Sequence, residues 1–521
     1  MNPTILIGID GATFTVLDPL IADGELPHLS DLAARGVRAE LLSTPHPLTP
    51  PAWTTLMTGR TPGNHGIYDF LKADIRGDRA FFTLNDHRDI RCETIWTLIS
   101  RQGGRVISLN YPMMAPPPPV AGAVVPGLLS WRHLRRNVHP PELYETIRSL
   151  PGFDAKGLSW DFEMETAIQN MPEEDLESWV RFHIDREAHW FGILQHLMRD
   201  RPWDLAAVMF DGVDKLQHAC WRFLDPSFIP ERPNAFERSL RDLCLEYFRR
   251  LDGYIGQIVA MGGPTAQVFV ASDHGFGPST RIFRVNKWLE QQGHLHWAVG
   301  DQDRPRSNSH FVHLDWEKTS ACAQSAATNG IHIRIRRGPG DAGVAAEDYP
   351  SFRDRLLEQL RAINDPETGK PLLKDVLKKQ DVFPGTESDH APDLTLVPWD
   401  HGFVSVLDAE PIITIRSTVK GTHYPVGVLM GCGPAIARGR TIGRQSILDI
   451  APTLLHSLGL PIPLDFEGSV IEDVFDRAYL KDNPVRMGTR TESLDSDDEE
   501  ESDPEGNEMI LERLRALGYV E

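Results

Sequence analysis

The chain has 521 residues, 41% apolar and 24% charged, enough to build one large or two ordinary cores without disulfide staples. Its 74 acidic against 53 basic side chains leave a formal charge of −21, which argues against a broad electrostatic grip on a nucleic-acid duplex or an anionic membrane surface. The five cysteines, at positions 92, 220, 244, 322 and 432, share no CxxC spacing and read as reduced thiols. The N-terminus has no basic n-region and no segment reaches the roughly 18 consecutive apolar residues of a spanning helix, so a cytoplasmic location is the default expectation.

In chain order, short β-rich apolar runs end in polar residues and alternate with helix-like stretches. Thr4 to Ile9 ends at Asp10, Arg105 to Leu109 at Asn110, Leu205 to Phe210 at Asp211, and Gln267 to Ala271 at Ser272-Asp273-His274. Helical spacing covers Glu93 to Arg101, Ala235 to Met261 and Ser446 to Leu458. This alternation predicts an α/β protein with a mostly parallel sheet, in which ligands bind beyond the carboxyl ends of the strands. Two stretches break the pattern, a helical one at 135–199 and a mixed one at 289–391, and both read as insertions rising over the strand ends. The core is then 1–134, 200–288 and 392–480. An acidic linker follows at 481–508, with ten carboxylates and no Lys or Arg between Glu492 and Glu508, and a short helix at 509–521 closes the chain.

Five elements carry donors suited to chemistry. Asp10 stands where the first strand turns. Thr49 lies ahead of Pro50 and Pro51 at the start of a helix-like stretch, whereas Thr54, Thr55 and Thr58 fall inside it, where hydroxyls bond back to carbonyls. Asp214 and His218, four apart, share one helix face. Ser272-Asp273-His274-Gly275 puts a carboxylate and an imidazole side by side at a strand end, and His423 sits in a late loop. Taken singly, each also fits a turn, a helix cap or a surface side chain. His65, His390 and His401 have no assigned partner and read as structural or surface residues.

Their order, with Thr58-Gly59-Arg60-Thr61-Pro62-Gly63-Asn64-His65-Gly66 between the second and third, resembles the alkaline phosphatase superfamily, in particular its type I phosphodiesterase and nucleotide pyrophosphatase branch. The resemblance implies a three-layer α/β/α core with inserted caps and two divalent metals. Asp10, Thr49, Asp273 and His274 would surround one ion, and Asp214, His218 and His423 the other. Mixed carboxylate and imidazole donors without thiolate suit zinc, with manganese or iron as alternatives. The implied substrate is a small-molecule phosphate ester and the implied nucleophile is Thr49, acting by double displacement. Metal-bound histidines must be neutral, so activity should fall below about pH 6. The branch's F-P-N after the threonine is replaced by Pro50, Pro51 and Ala52, and Asn110 is the candidate to supply the missing donor to the phosphoryl group.

A sulfatase is disfavoured because no cysteine lies near residue 49. Phosphomonoesterase and phosphoglycerate-mutase-like activities stay open, as does an inert binding or regulatory module. A complete ligand set argues against the last.

Overall fold

The structure, a computed structural model, describes residues 1–76, 79–158, 171–297, 314–336, 338, 341 and 343–492. Its centre is a sheet whose order, from one edge to the other, is Arg440–Thr441, Val37–Leu42, Val426–Cys432, Gln267–Ala271, Thr4–Ile9, Leu205–Phe210, Val106–Leu109 and Gly122–Val125. All pairings among the last five strands are parallel, while Val426–Cys432 runs antiparallel to both neighbours.

The first strand is buried along its whole length, and alternation sends its side chains to two layers. Ile5, Ile7 and Ile9 join a cluster with helices Phe14–Ala22, Gly212–Leu224 and Ala235–Gly262. Leu6 faces the other cluster, built on Thr49–Thr58, Ile95–Arg101 and Ile450–Ser457. This is a three-layer α/β/α core. Parallel register aligns Ile9 with Phe210 and Gly8 with Ala271, so Asp10, Asp211 and Ser272-Asp273 emerge at one edge.

Three expectations about organisation change. Within 135–199, the helix Leu176–Asp200 does not rise over the strand ends; Trp179, Trp190, Leu194 and Leu197 pack in the same apolar cluster as Ile5 and Ile7, making it part of a helical layer. The mixed stretch is a separate small module that extends past 391. Its four-stranded sheet takes Ala321–Cys322, Gly330–Ile333, Leu394–Pro398 and Leu373–Lys378, and its apolar cluster reaches from Phe283 to Val406 and takes in Leu71. It grows from an antiparallel ribbon of Gly275–Phe283 with Ile413–Tyr424, so His390 to Asp393 lead into this module and not back into the large sheet. Finally, 481–492 is not linker: Arg486 and Gly488 bond the backbone of Ile462, and Thr491 bonds Asp465. The acidic run beyond 492 and the helix expected at 509–521 lie outside the described residues. No helix among the described residues is long and apolar enough to cross a membrane, and all five cysteines are free and buried.

Candidate active site

At the carboxyl edge of the sheet the chain turns sharply after Asp10. Gly11 has φ +67°, where a Cβ would also meet the Phe276 ring at 2.9 Å, so only glycine fits. Its N–H donates to Asp273 Oδ1 at 3.1 Å and its carbonyl accepts from Gln217 Nε2 at 2.7 Å, tying two strand ends to the helix Gly212–Leu224. Ser272 Oγ locks the next turn, accepting from Val428 N at 2.7 Å. Gln217 was not singled out in the sequence; its position beside His218 on a buried helix face was the available signal.

The structure brings the seven side chains Asp10, Thr49, Asp214, His218, Asp273, His274 and His423 together, all buried. His274 Nε2 lies 3.2 Å from Asp273 Oδ2, 3.5 Å from Asp10 Oδ1 and 3.4 Å from Thr49 Oγ. Asp214 Oδ1 lies 3.0 Å from His423 Nε2 and 3.4 Å from His218 Nε2, and those two nitrogens are 3.0 Å apart. The His274 and His423 rings stack at 3.7 Å, joining the two halves.

Each imidazole is oriented from behind. Nδ1 of His218 faces Gly421 O at 3.2 Å, that of His274 faces Gly275 O at 3.1 Å, and that of His423 faces Pro47 O at 2.9 Å. A carbonyl can only accept, so each Nδ1 carries the proton and each Nε2 turns a lone pair inward, the arrangement typical of metal-ligating histidines. Three carboxylate oxygens, Asp10 Oδ1, Asp214 Oδ1 and Asp273 Oδ2, are buried there without a hydrogen-bond donor.

The electrostatics are those of a site short of positive charge. Burial, then the neighbouring Asp273 and Asp214, pushes Asp10 well above the usual carboxyl range, and burial pushes Asp273 up to about 8. Burial would raise Asp214 too, but His218 and Lys215, whose Nζ is 3.2 Å from Asp214 Oδ2, hold it well below the ordinary value. Burial and the neighbouring His423 keep His274 well below the usual imidazole range, and burial lowers His423 against the pull of Asp214. The neutral form of His274 and His423 therefore persists further into acid than for free imidazole. Unpartnered carboxylates facing inward lone pairs fit hard or borderline dications, and two groups satisfy the spacing of a shared ion: Asp10 with Asp273 and His274, and Asp214 with His274 and His423.

Thr49 opens the helix Thr49–Thr58, with Leu48 as a cap that makes no side-chain bond. Thr58 does bond back, to Thr54 O at 2.7 Å, but Thr55 pairs instead with His65 Nε2 at 3.0 Å. His65 thus pins the Gly59 to Gly66 turn to the helix, a structural role. Pro50 and Pro51 remove two N–H groups from the helix start, so this terminus is a poor anion cradle. Asn110 does not supply the replacement. Its backbone is left-handed, φ 64°, and its amide donates to Met209 O at 2.8 Å and leans on Asp211 Oδ1 at 3.5 Å, which spends the donor on the neighbouring strand.

Behind the site lies a second buried polar group that the sequence reading missed. Arg186 grips Asp211 through Nε at 3.1 Å and Nη2 at 3.0 Å, and Glu187 Oε1 accepts from Gly212 N at 2.7 Å and Tyr247 Oη at 3.0 Å. These contacts fix the start of Gly212–Leu224, the helix that presents Asp214 and His218. Helical spacing from Trp179 and His183 would have placed Glu187 on the buried face.

A parallel three-layer core with an Asp and His cluster at its strand ends defines an alkaline-phosphatase-like α/β architecture. The chain belongs to the type I phosphodiesterase / nucleotide pyrophosphatase family, whose model matches residues 4–423. Similar solved structures include murine ectonucleotide pyrophosphatase / phosphodiesterase 5, as an inactive form in complex with AMP, at 15% identity and TM-score 0.54 over 91% of this chain and 100% of that one. A second structure of the murine protein aligns at 15% identity and TM-score 0.52, over 91% and 100%. The human protein aligns at 15% and 0.51, over 92% and 99%. Comparison with curated proteins returned no match.

Proposed function

We propose that the chain is a metal-dependent phosphodiesterase or nucleotide pyrophosphatase that uses Thr49 as its nucleophile. The observation that carries this reading is the convergence of three inward Nε2 lone pairs and three donorless buried carboxylate oxygens beside one hydroxyl. Asp10, Thr49, Asp273 and His274 would hold one divalent ion and Asp214, His218 and His423 a second, zinc suiting the donor set best, with manganese or iron alternatives. Bound there, such ions supply Lewis acidity for a phosphoryl group and lower the pKa of a coordinated hydroxyl.

The chain's own residues do the rest. Thr49 Oγ, at the first helical position, has no carbonyl one turn back within its helix and stays turned toward His274. It gives its proton to solvent as it attacks phosphorus, an Oγ–P bond forms, the ester P–O bond breaks, and the departing oxygen takes a proton from solvent. Water then cleaves the phosphothreonine and restores the hydroxyl. Phe276 and Phe403, with ring centroids 5.4 and 4.9 Å from that of His423, shield the imidazoles from bulk water. A nucleotide-like ester is the favoured substrate, supported by family membership and by the AMP complex of the murine relative.

The test is a parallel assay of phosphomonoester, phosphodiester and nucleotide pyrophosphate substrates with wild type and Thr49→Ala, with bound metal quantified. Diester cleavage with about two ions per chain, falling at least about 10³-fold in Thr49→Ala while metal is largely retained, is the expected result. Equal rates in the two proteins end the nucleophile assignment, and a metal-free, inert wild type ends the hydrolase reading.

A further inference from the structure

A cavity of about 320 Å³ opens beside the site, and His423 forms part of its wall. The ribbon strand Ile413–Tyr424 supplies His423, whereas Lys374, Leu377, His401 and Phe403 come from the small module. The cavity is at the lower end of small-molecule pockets and suits one ring-sized body. Phe403 lies edge-on to His423 and continues into Leu377, which gives an apolar wall leading away from the cluster.

Its charge is one-sided. Asp375 also lines the cavity, but Arg361 Nη2 binds its Oδ1 at 2.9 Å and Val376 N binds the same oxygen at 2.8 Å. Lys378 and Lys379, further along the same segment, pair with Asp354 and Asp393. Lys374 has no carboxylate partner among the described residues. His401, held in a left-handed conformation at φ 51°, tilts against Tyr424 with ring centroids 4.6 Å apart, and burial, with Lys374 adding to it, keeps its imidazole below the ordinary range. His401 was read from sequence as a structural or surface residue; the fold places it in this wall.

Direction follows from in-line displacement, in which the departing oxygen lies opposite the attacking one. Thr49 contacts His274, on the Asp10 and Asp273 side of the cluster. The opposite side is Asp214, His218 and His423, and His423 is the group that faces the cavity.

We propose that this cavity seats the leaving group, and that Lys374 selects esters whose leaving group is an apolar ring-sized body bearing a negative charge. This rests on the phosphodiesterase reading above and adds a substrate class to it. An exposed-to-partly-buried ion pair of this kind gives about fivefold discrimination.

The experiment compares methyl 4-carboxyphenyl phosphate with its neutral isostere methyl 4-carbamoylphenyl phosphate, using metal-loaded wild type, Lys374→Met and Lys374→Glu. Wild type should prefer the carboxylate about fivefold in kcat/KM, through KM; Lys374→Met should lose that preference and Lys374→Glu reverse it. A purely structural role for Lys374 would lower both esters together and leave the ratio unmoved, which overturns the proposal. If wild type cleaves neither ester, the hydrolase reading is decided by the substrate panel above, and equilibrium binding of 4-hydroxybenzoate against 4-hydroxybenzamide decides the pocket. Tighter benzoate binding lost in Lys374→Met supports the proposal, and equal binding overturns it.

Discussion

Two polar clusters sit a few residues apart at the same strand ends, equally buried and differently balanced. In the rear one, the guanidinium of Arg186 matches Asp211 with two hydrogen bonds, and burial raises Glu187 to about 8, so that carboxyl stays protonated and neutral near neutral pH. In the front one, Asp10, Asp214 and Asp273 share, among the described residues, a single nearby ammonium, that of Lys215, and three of their oxygens have no donor there. Burial alone therefore does not mark a reactive centre. What distinguishes the front cluster is that its donorless carboxyl oxygens converge with three inward imidazole nitrogens, a set that a cation would satisfy. In the rear cluster a guanidinium meets Asp211, and the one donorless carboxyl oxygen, Glu187 Oε2, belongs to a carboxyl already bonded by Gly212 and Tyr247.

Substitutions should separate the two. The largest effect belongs to the front: His423→Ala should reduce bound metal from about two ions toward one and lower diester turnover by about 10³-fold or more, read by elemental analysis beside initial rates. Full metal content with full activity would break the comparison. Arg186→Met should leave Asp211 buried and unpaired, costing about 3–5 kcal/mol in urea-induced unfolding, and adding Asp211→Asn should recover part of that loss. No change in the unfolding midpoint would place the rear pair among ornamental contacts. Glu187 gives the smallest and most specific signal. Between its ordinary value of 4.5 and about 8 the folded chain keeps a proton that the unfolded chain has released, so Glu187 makes stability decline as pH rises through that window. Glu187→Gln should flatten the decline, and an unaltered pH profile of the melting temperature would show that the carboxyl is ionised in the fold.

Much of this was legible because a buried parallel strand writes itself as an unbroken apolar run with its functional residue at the end. Thr4 to Asp10 and Gln267 to His274 are such runs, and Asp214 to His218 declares its shared face by spacing alone. Module boundaries were not legible for a related reason. Leu394–Pro398 has the same apolar, β-rich composition as a strand of the large sheet, and only its pairing with Gly330–Ile333 and Leu373–Lys378 assigns it to the small one. Likewise, the amphipathic pattern of Leu176–Asp200 records that one face is covered without recording by what. Asn110 stood at a suitable strand end, but no sequence feature shows that its amide is taken by Met209 O, and His401 reaches the cavity wall through a left-handed turn that a lone loop histidine does not announce.

The small module is spliced between the two strands of the ribbon Gly275–Phe283 and Ile413–Tyr424, and that ribbon begins next to His274 and carries His423. Under the two proposals above, the bond-breaking machinery and the surface that recognises the departing fragment lie on opposite sides of one hairpin-like stem. Substitutions on the distal side can then reshape the cavity wall while the stem keeps both imidazoles in place, so that recognition can change without disturbing the cluster.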